Sequence, residues 1–259
     1  MTGPAGVSAI VLGELGVGGV VLLWLTPLWN EVRRGFFKLT GLIVAVSATS
    51  AWGAAEAGLI EGSEAGRWSA WLSASLAGVS LASVILLFAR RDQIARIVGF
   101  ASIPVSVALL AAMAGTSEGS SFVALLQLLA GALFLGAVLD GLLLGHWYLT
   151  DRRLTRTPIN RFATLLIAAV VLEAAAVIAG GFGPTTGGSD TINPLLTAAG
   201  LAPWIALGMV GTTALIAVLI RAALRGERAS AVQAATGFFY LAVITAVTAE
   251  FAAKVRFLP

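Results

Sequence analysis

The 259-residue chain has no cysteine, one histidine and few charges, and each scarcity excludes something. Without thiols it can form no disulfide, no thiolate metal site and no cysteine-ligated iron–sulfur cluster. His146 alone cannot supply both axial ligands of a bis-histidine haem, so a partner would have to bring the second. This chain by itself is therefore expected to bind neither haem nor cluster. Charged residues make up 11% of the sequence and hydrophobic ones 58%, whereas soluble domains carry about 25% charge. There is too little polar surface to cover a water-soluble fold, and a lipid bilayer is the expected surrounding. The net charge of +3 does not point to nucleic acid, because the basic residues sit in short loops between apolar runs, as membrane proteins commonly place them. The opening MTGPAGVSA has no basic segment ahead of its apolar run and does not look like a cleaved signal peptide.

Long apolar runs are what the chain has in abundance. A membrane-crossing helix needs roughly 20 apolar residues. Eight such runs can be drawn, at 5–29, 39–60, 68–89, 97–115, 121–149, 161–180, 196–220 and 232–253. They are too long for ordinary strands, and Ala and Leu dominate them, so helices are expected. The fold class is all-α: a polytopic integral membrane protein of eight transmembrane helices forming one domain over 1–259.

Lys and Arg set the orientation. Arg33, Arg34, Lys38, Arg90, Arg91, Arg96, Arg152, Arg153, Arg156, Arg161, Arg221, Arg225 and Arg228 all follow odd-numbered spans, thirteen of the sixteen basic residues. The other side keeps Arg67, Lys254 and Arg256. The positive-inside rule then places both termini outside, in a multi-pass protein of the inner (cytoplasmic) membrane. Trp24, Trp29, Trp68, Trp71 and Trp147 fall near span ends, where interfacial anchors belong. The outer loops are short apart from 181–195, a Gly- and Thr-rich segment with room to fold over a site or meet a partner.

Function has to be sought among ionisable groups inside the spans, where a charge costs roughly 2.5–3.5 kcal/mol at the bilayer centre. Five acids qualify: Glu14, Glu56, Asp140, Glu173 and Glu250, with His146 nearer the inside. Glu14 lies in the glycine-rich LGELGVGG, which suits either tight helix packing or close approach of a flat ligand. Glu56 is either a pocket residue or interfacial. Glu173, in VVLEAAA, has no local partner and must pair across helices or stay neutral. Glu250 has Lys254 four residues on, the spacing and order of a helix ion pair. Asp140 and His146 are about 9 Å apart in rise and about 120° in rotation, so water or other residues would have to link them. His146 can equally be an interfacial hydrogen-bonding group beside Trp147 and Tyr148. Glu14, Glu56 and Glu250 lie toward the outside and Asp140 and His146 toward the inside, a distribution that suits a protonatable pocket opening outward. Quinone chemistry needs such a pocket, an apolar slot with an acid or base to exchange protons.

Four segments carry a family resemblance: GELGVGG in the first span, SAWGAAEAGLIEG followed by RWSAWLS, LDGLLLGHWYL in the fifth span, and the closing TAEFAAKVRF. Together they resemble the NrfD-like and DMSO-reductase-type membrane anchor subunits. The resemblance implies eight helices with both termini outside, a bound menaquinone or ubiquinone, and an iron–sulfur subunit docked on the outer surface with other subunits of a membrane complex. Where that family often has a histidine, this chain reads Glu56-Ala57-Gly58, so Glu56 would have to substitute. On this reading Glu14, Glu56 and Glu250 line the quinone site, and Asp140, His146 and Glu173 carry protons. No catalytic residue or metal ligand is expected in the chain itself. A small proton-coupled transporter is the alternative, though no repeat relates the two halves as many transporters require. A structural membrane subunit is a third.

Overall fold

A computed structural model describes residues 1–117, 119–151, 153–182, 201–226 and 230–255. Eight helices are long and apolar enough to cross a membrane. They are α1 (Gly3–Leu25), α3 (Arg34–Ala57), α4 (Glu64–Phe88), α5 (Asp92–Ala114), α6 (Ser121–Thr150), α7 (Thr157–Ala179), α8 (Leu201–Leu224) and α9 (Ser230–Lys254). A single turn, α2 (Leu28–Glu31), follows α1. The expected first span runs too far, because Thr26 precedes Pro27 and is extended at φ −77° and ψ 153°. A residue before proline is pushed out of the helical region. Most other helices begin several residues before the apolar runs do, at Arg34, Glu64 and Asp92 for example. Backbone hydrogen bonding continues into polar residues that hydropathy alone assigns to loops. Ser63 starts α4 by accepting the Gly66 N–H at 3.1 Å, an N-cap reinforced by Glu64 in the first turn. The 181–195 loop falls, apart from 181–182, outside the described residues, as does 196–200 of the seventh expected span.

The helices form two rings of four. In the first, α1, α3, α4 and α5 each pack on the next, and in the second α6, α7, α8 and α9 do the same. The rings join where α1 lies against α6, with α5, α3 and α9 adding smaller contacts across the join. α1 is apolar on every side and is buried along most of its length, as a helix without a polar face must be. Lipid gives helices no hydrophobic reason to associate, so close backbone approach has to hold them. At the α1–α6 join Gly18 and Gly136 supply it: a Cβ on either would overlap the other helix's backbone.

The eight helices alternate in direction, so the start of α1 and the end of α9 lie at one end of the bundle, here named the terminal face. The Thr2 N–H bonds the Gly58 carbonyl there at 2.9 Å. The opposite, basic face is tied together by ion pairs between helix ends and the segments that flank them. Arg161 grips Glu31 through two bonds of 2.8 and 3.0 Å, Arg34 meets Asp92 at 3.2 Å, and Arg33 meets Asp151 at 3.1 Å. Trp68 and Trp71 are 61% and 71% exposed, as interfacial anchors should be. Trp24 does not join them. It is buried against Trp29 and Phe37, with its ring over Gly99, because the glycine leaves space for an indole that sequence position alone places at the interface.

Candidate functional site

Three helices, α1, α7 and α9, bring three acids and one base together inside the bundle against α6. Lys254, the last residue of α9, is only 2% exposed. Its ammonium lies 2.9 Å from Glu14 Oε1 of α1 and 3.1 Å from Glu250 Oε2, one turn back on α9. It also reaches the Gln127 carbonyl of α6 at 3.4 Å. Glu173 of α7, 1% exposed, is buried near Glu250 and Lys254.

The arrangement depends on Gly131 of α6. A Cβ there would stand 2.6 Å from Glu14 Oε1 and 2.9 Å from Glu250 Oε2, so only a glycine lets both carboxyls close on the ammonium against this helix. Both Glu14 and Glu250 are fully buried. Stripping an ion of water costs several kcal/mol, which is recovered only by close pairing. Three carboxyls around one ammonium balance electrically when two of them hold protons. The cluster is therefore neutral with two carboxyl protons, and gaining or losing one changes its charge by a single unit.

A cavity of about 290 Å³ leads to this cluster from the terminal face. Ser117 and Ser120 line it from the α5–α6 connection, Gln127 from α6, Gly180 from the end of α7 and Pro203 from the start of α8, with Glu173 and Lys254 among its walls. The Gln127 side chain donates to the Ala176 carbonyl at 3.2 Å, bracing α6 against α7 beside the opening. The site thus has a polar vestibule, a proton-exchanging carboxyl and an ammonium. Among the described residues no group of His, Asp and Glu is placed to hold a metal ion.

The six residues singled out from sequence separate into two sets. Glu14, Glu250 and Glu173 meet in one cluster, although sequence reasoning gave Glu173 to a different role from the other two. Glu56, Asp140 and His146 lie elsewhere. Glu56 is exposed near the end of α3, where it accepts the Trp52 indole N–H at 3.2 Å. His146 is exposed too, with Nδ1 3.5 Å from the Tyr240 hydroxyl, while Asp140 is fully buried away from the cavity. Sequence reasoning missed the centre of the site, Lys254. Its four-residue spacing from Glu250 was visible, but a lysine near the end of an apolar run reads as one reaching water. Gln127 and Gly131 gave no signal.

Compared with known proteins, the chain matches no family model, no curated protein and no solved structure.

Proposed function

We propose that this chain is a quinone-interacting membrane subunit of a respiratory electron-transfer complex. It exchanges electrons between the quinone pool and an iron–sulfur subunit docked on the terminal face. The observation that carries the proposal is the pairing of Glu173 and Lys254 on the walls of the cavity. A quinone head presents two carbonyl oxygens, and it needs a hydrogen-bond donor plus a group that gives and takes protons. Lys254 supplies positive charge at the cavity wall, and a carboxyl donates or accepts according to its protonation. The volume is near the lower end of ligand pockets, about 300 Å³, which suits a head group without its tail. The donor set fits menaquinone and ubiquinone alike.

When bound, a quinone supplies two-electron, two-proton redox chemistry. The chain's own residues do the rest. Glu173, when protonated, donates to an acceptor oxygen, and Lys254, whose N–H groups go to Glu14, Glu250 and the Gln127 carbonyl, lends positive charge beside it. Glu14 and Glu250 keep Lys254 charged and oriented from the side away from the cavity. Glu173 passes a proton between the cavity and Glu250. The basic face is cytoplasmic in this reading, by the positive-inside rule, which puts the cavity and both termini outside an inner (cytoplasmic) membrane. The resemblance to NrfD-like anchors suggests the iron–sulfur partner. Glu56 has no part in the site.

The test is a mild-detergent pulldown of the tagged chain from its native membrane, with mass spectrometry for proteins and quinones. An iron–sulfur protein and a bound quinone are expected, with the quinone retained by Glu56→Gln and reduced by Glu173→Gln. A folded chain that carries neither sinks the proposal. One observation favours a second reading, a small proton-coupled transporter: an ammonium facing a polar vestibule also suits an anionic solute. Uptake of such a solute by liposomes holding the chain alone would establish it.

A further inference from the structure

Asp140 is the buried acid that the cavity does not use. It is fully buried on α6, and neither carboxyl oxygen has a hydrogen-bond partner among the described residues. None of the ion pairs among the described residues includes it. Across the join its Oδ1 lies 3.8 Å from where a Cβ on Gly19 of α1 would stand, the same space that the Val44 side chain of α3 borders. A carboxyl placed so, without a partner in an apolar interior, is stable only with its proton on.

A second, independent observation separates this group from the cluster. Along α6 the order is Gly131, Gly136, Asp140, and along α1 it is Glu14, Gly18, Gly19. Gly131 touches Glu14 and Glu250 at one level, Gly136 meets Gly18 backbone to backbone at the next, and Asp140 lies beside Gly19 beyond it. From Gly131 to Asp140 the helix rises about 13 Å. The Gly18–Gly136 crossing has no room for a methyl group, so it has none for a water to bridge the two levels along this seam.

We infer that Asp140 is a second proton-binding site, insulated from the cavity by the Gly18–Gly136 crossing, whose proton exchanges without passing Lys254 and Glu173. The two sites bracket the tightest packed level of the join. A chain so built can be protonated on either side of that level independently, whatever occupies the cavity.

Infrared difference spectroscopy on the full chain in lipid nanodiscs, on transfer to D2O, tests this without any quinone. Asp140→Asn and Asp140→Glu assign the Asp140 band, and Glu173→Gln assigns that of Glu173. Ala179→Trp, at the exposed rim of the cavity, narrows the way in and slows deuteration at Glu173. The expected result is a protonated-carboxyl C=O band that disappears in Asp140→Asn, shifts in Asp140→Glu, and deuterates at the parental rate in Ala179→Trp. The inference is overturned by the absence of any such band change in the Asp140 variants. It is also overturned if the Asp140 band slows in Ala179→Trp together with that of Glu173. Should Asp140→Asn not fold, Asp140→Glu still makes the assignment.

Discussion

Replacing Lys254 by methionine tests the electrostatics of the site most directly. The side chain keeps nearly the same length and loses its charge and its N–H donors. Its ammonium is 2.9 Å from Glu14 and 3.1 Å from Glu250, and all three side chains are at most 2% exposed. Breaking a buried ion pair by removing one partner costs about 3–5 kcal/mol, because the survivor keeps its charge without compensation. Here the one carboxylate of the three that holds no proton is left without its countercharge, which places Lys254→Met within that range. The loss should shrink as pH falls, since carboxyls that pick up protons no longer need the ammonium. Adding Glu14→Gln and Glu250→Gln to Lys254→Met should recover most of the stability, because a neutral, well-filled site can match a buried ion pair. Adding salt should change little, since ions screen buried pairs poorly. The assay is reversible unfolding in mixed micelles, read by tryptophan fluorescence, on the single, double and triple variants across pH. If Lys254→Met stays within about 0.5 kcal/mol of the parent, the size of an ordinary surface change, Lys254 does not neutralise these acids and the description of the site fails.

Three further outcomes are expected. Gly18→Ala should destabilise by about 1–3 kcal/mol through overpacking at the crossing, while Gly16→Ala, whose new methyl would meet Ala48 at an ordinary 3.6–3.8 Å, should be close to neutral; equal melting temperatures would refute the crossing. Arg161→Ala should lose about 1 kcal/mol or slightly more, because its two bonds to Glu31 are paired but partly open to water, and an equally stable Glu31→Gln would argue against that tie. Glu56→Gln should leave both stability and quinone content unchanged, since its described side-chain bond is the exposed one from Trp52; a loss of quinone would return Glu56 to the site.

The sequence alone determined the class of the protein. Its apolar runs, poverty of charge and segregation of Arg and Lys made eight membrane-crossing helices legible, because burial in lipid constrains every residue of a span in the same way. It also narrowed the chemistry to a handful of acids, since each costs enough inside a membrane to need a reason. Local order supplied one true contact, Glu250 with Lys254, because the α-helix repeat fixes it. Everything else about the site was settled by tertiary packing. Glu14, Gln127, Glu173 and Lys254 come from four helices spread over nearly the whole chain, and no sequence spacing encodes which faces meet. The glycines decide it: Gly131 lets two carboxyls close on one ammonium, and Gly18 and Gly136 bring α1 against α6 at the level that parts the cluster from Asp140. In sequence they are three among thirty glycines, and only the opposing surface distinguishes them, because what a missing side chain permits depends on what stands across from it.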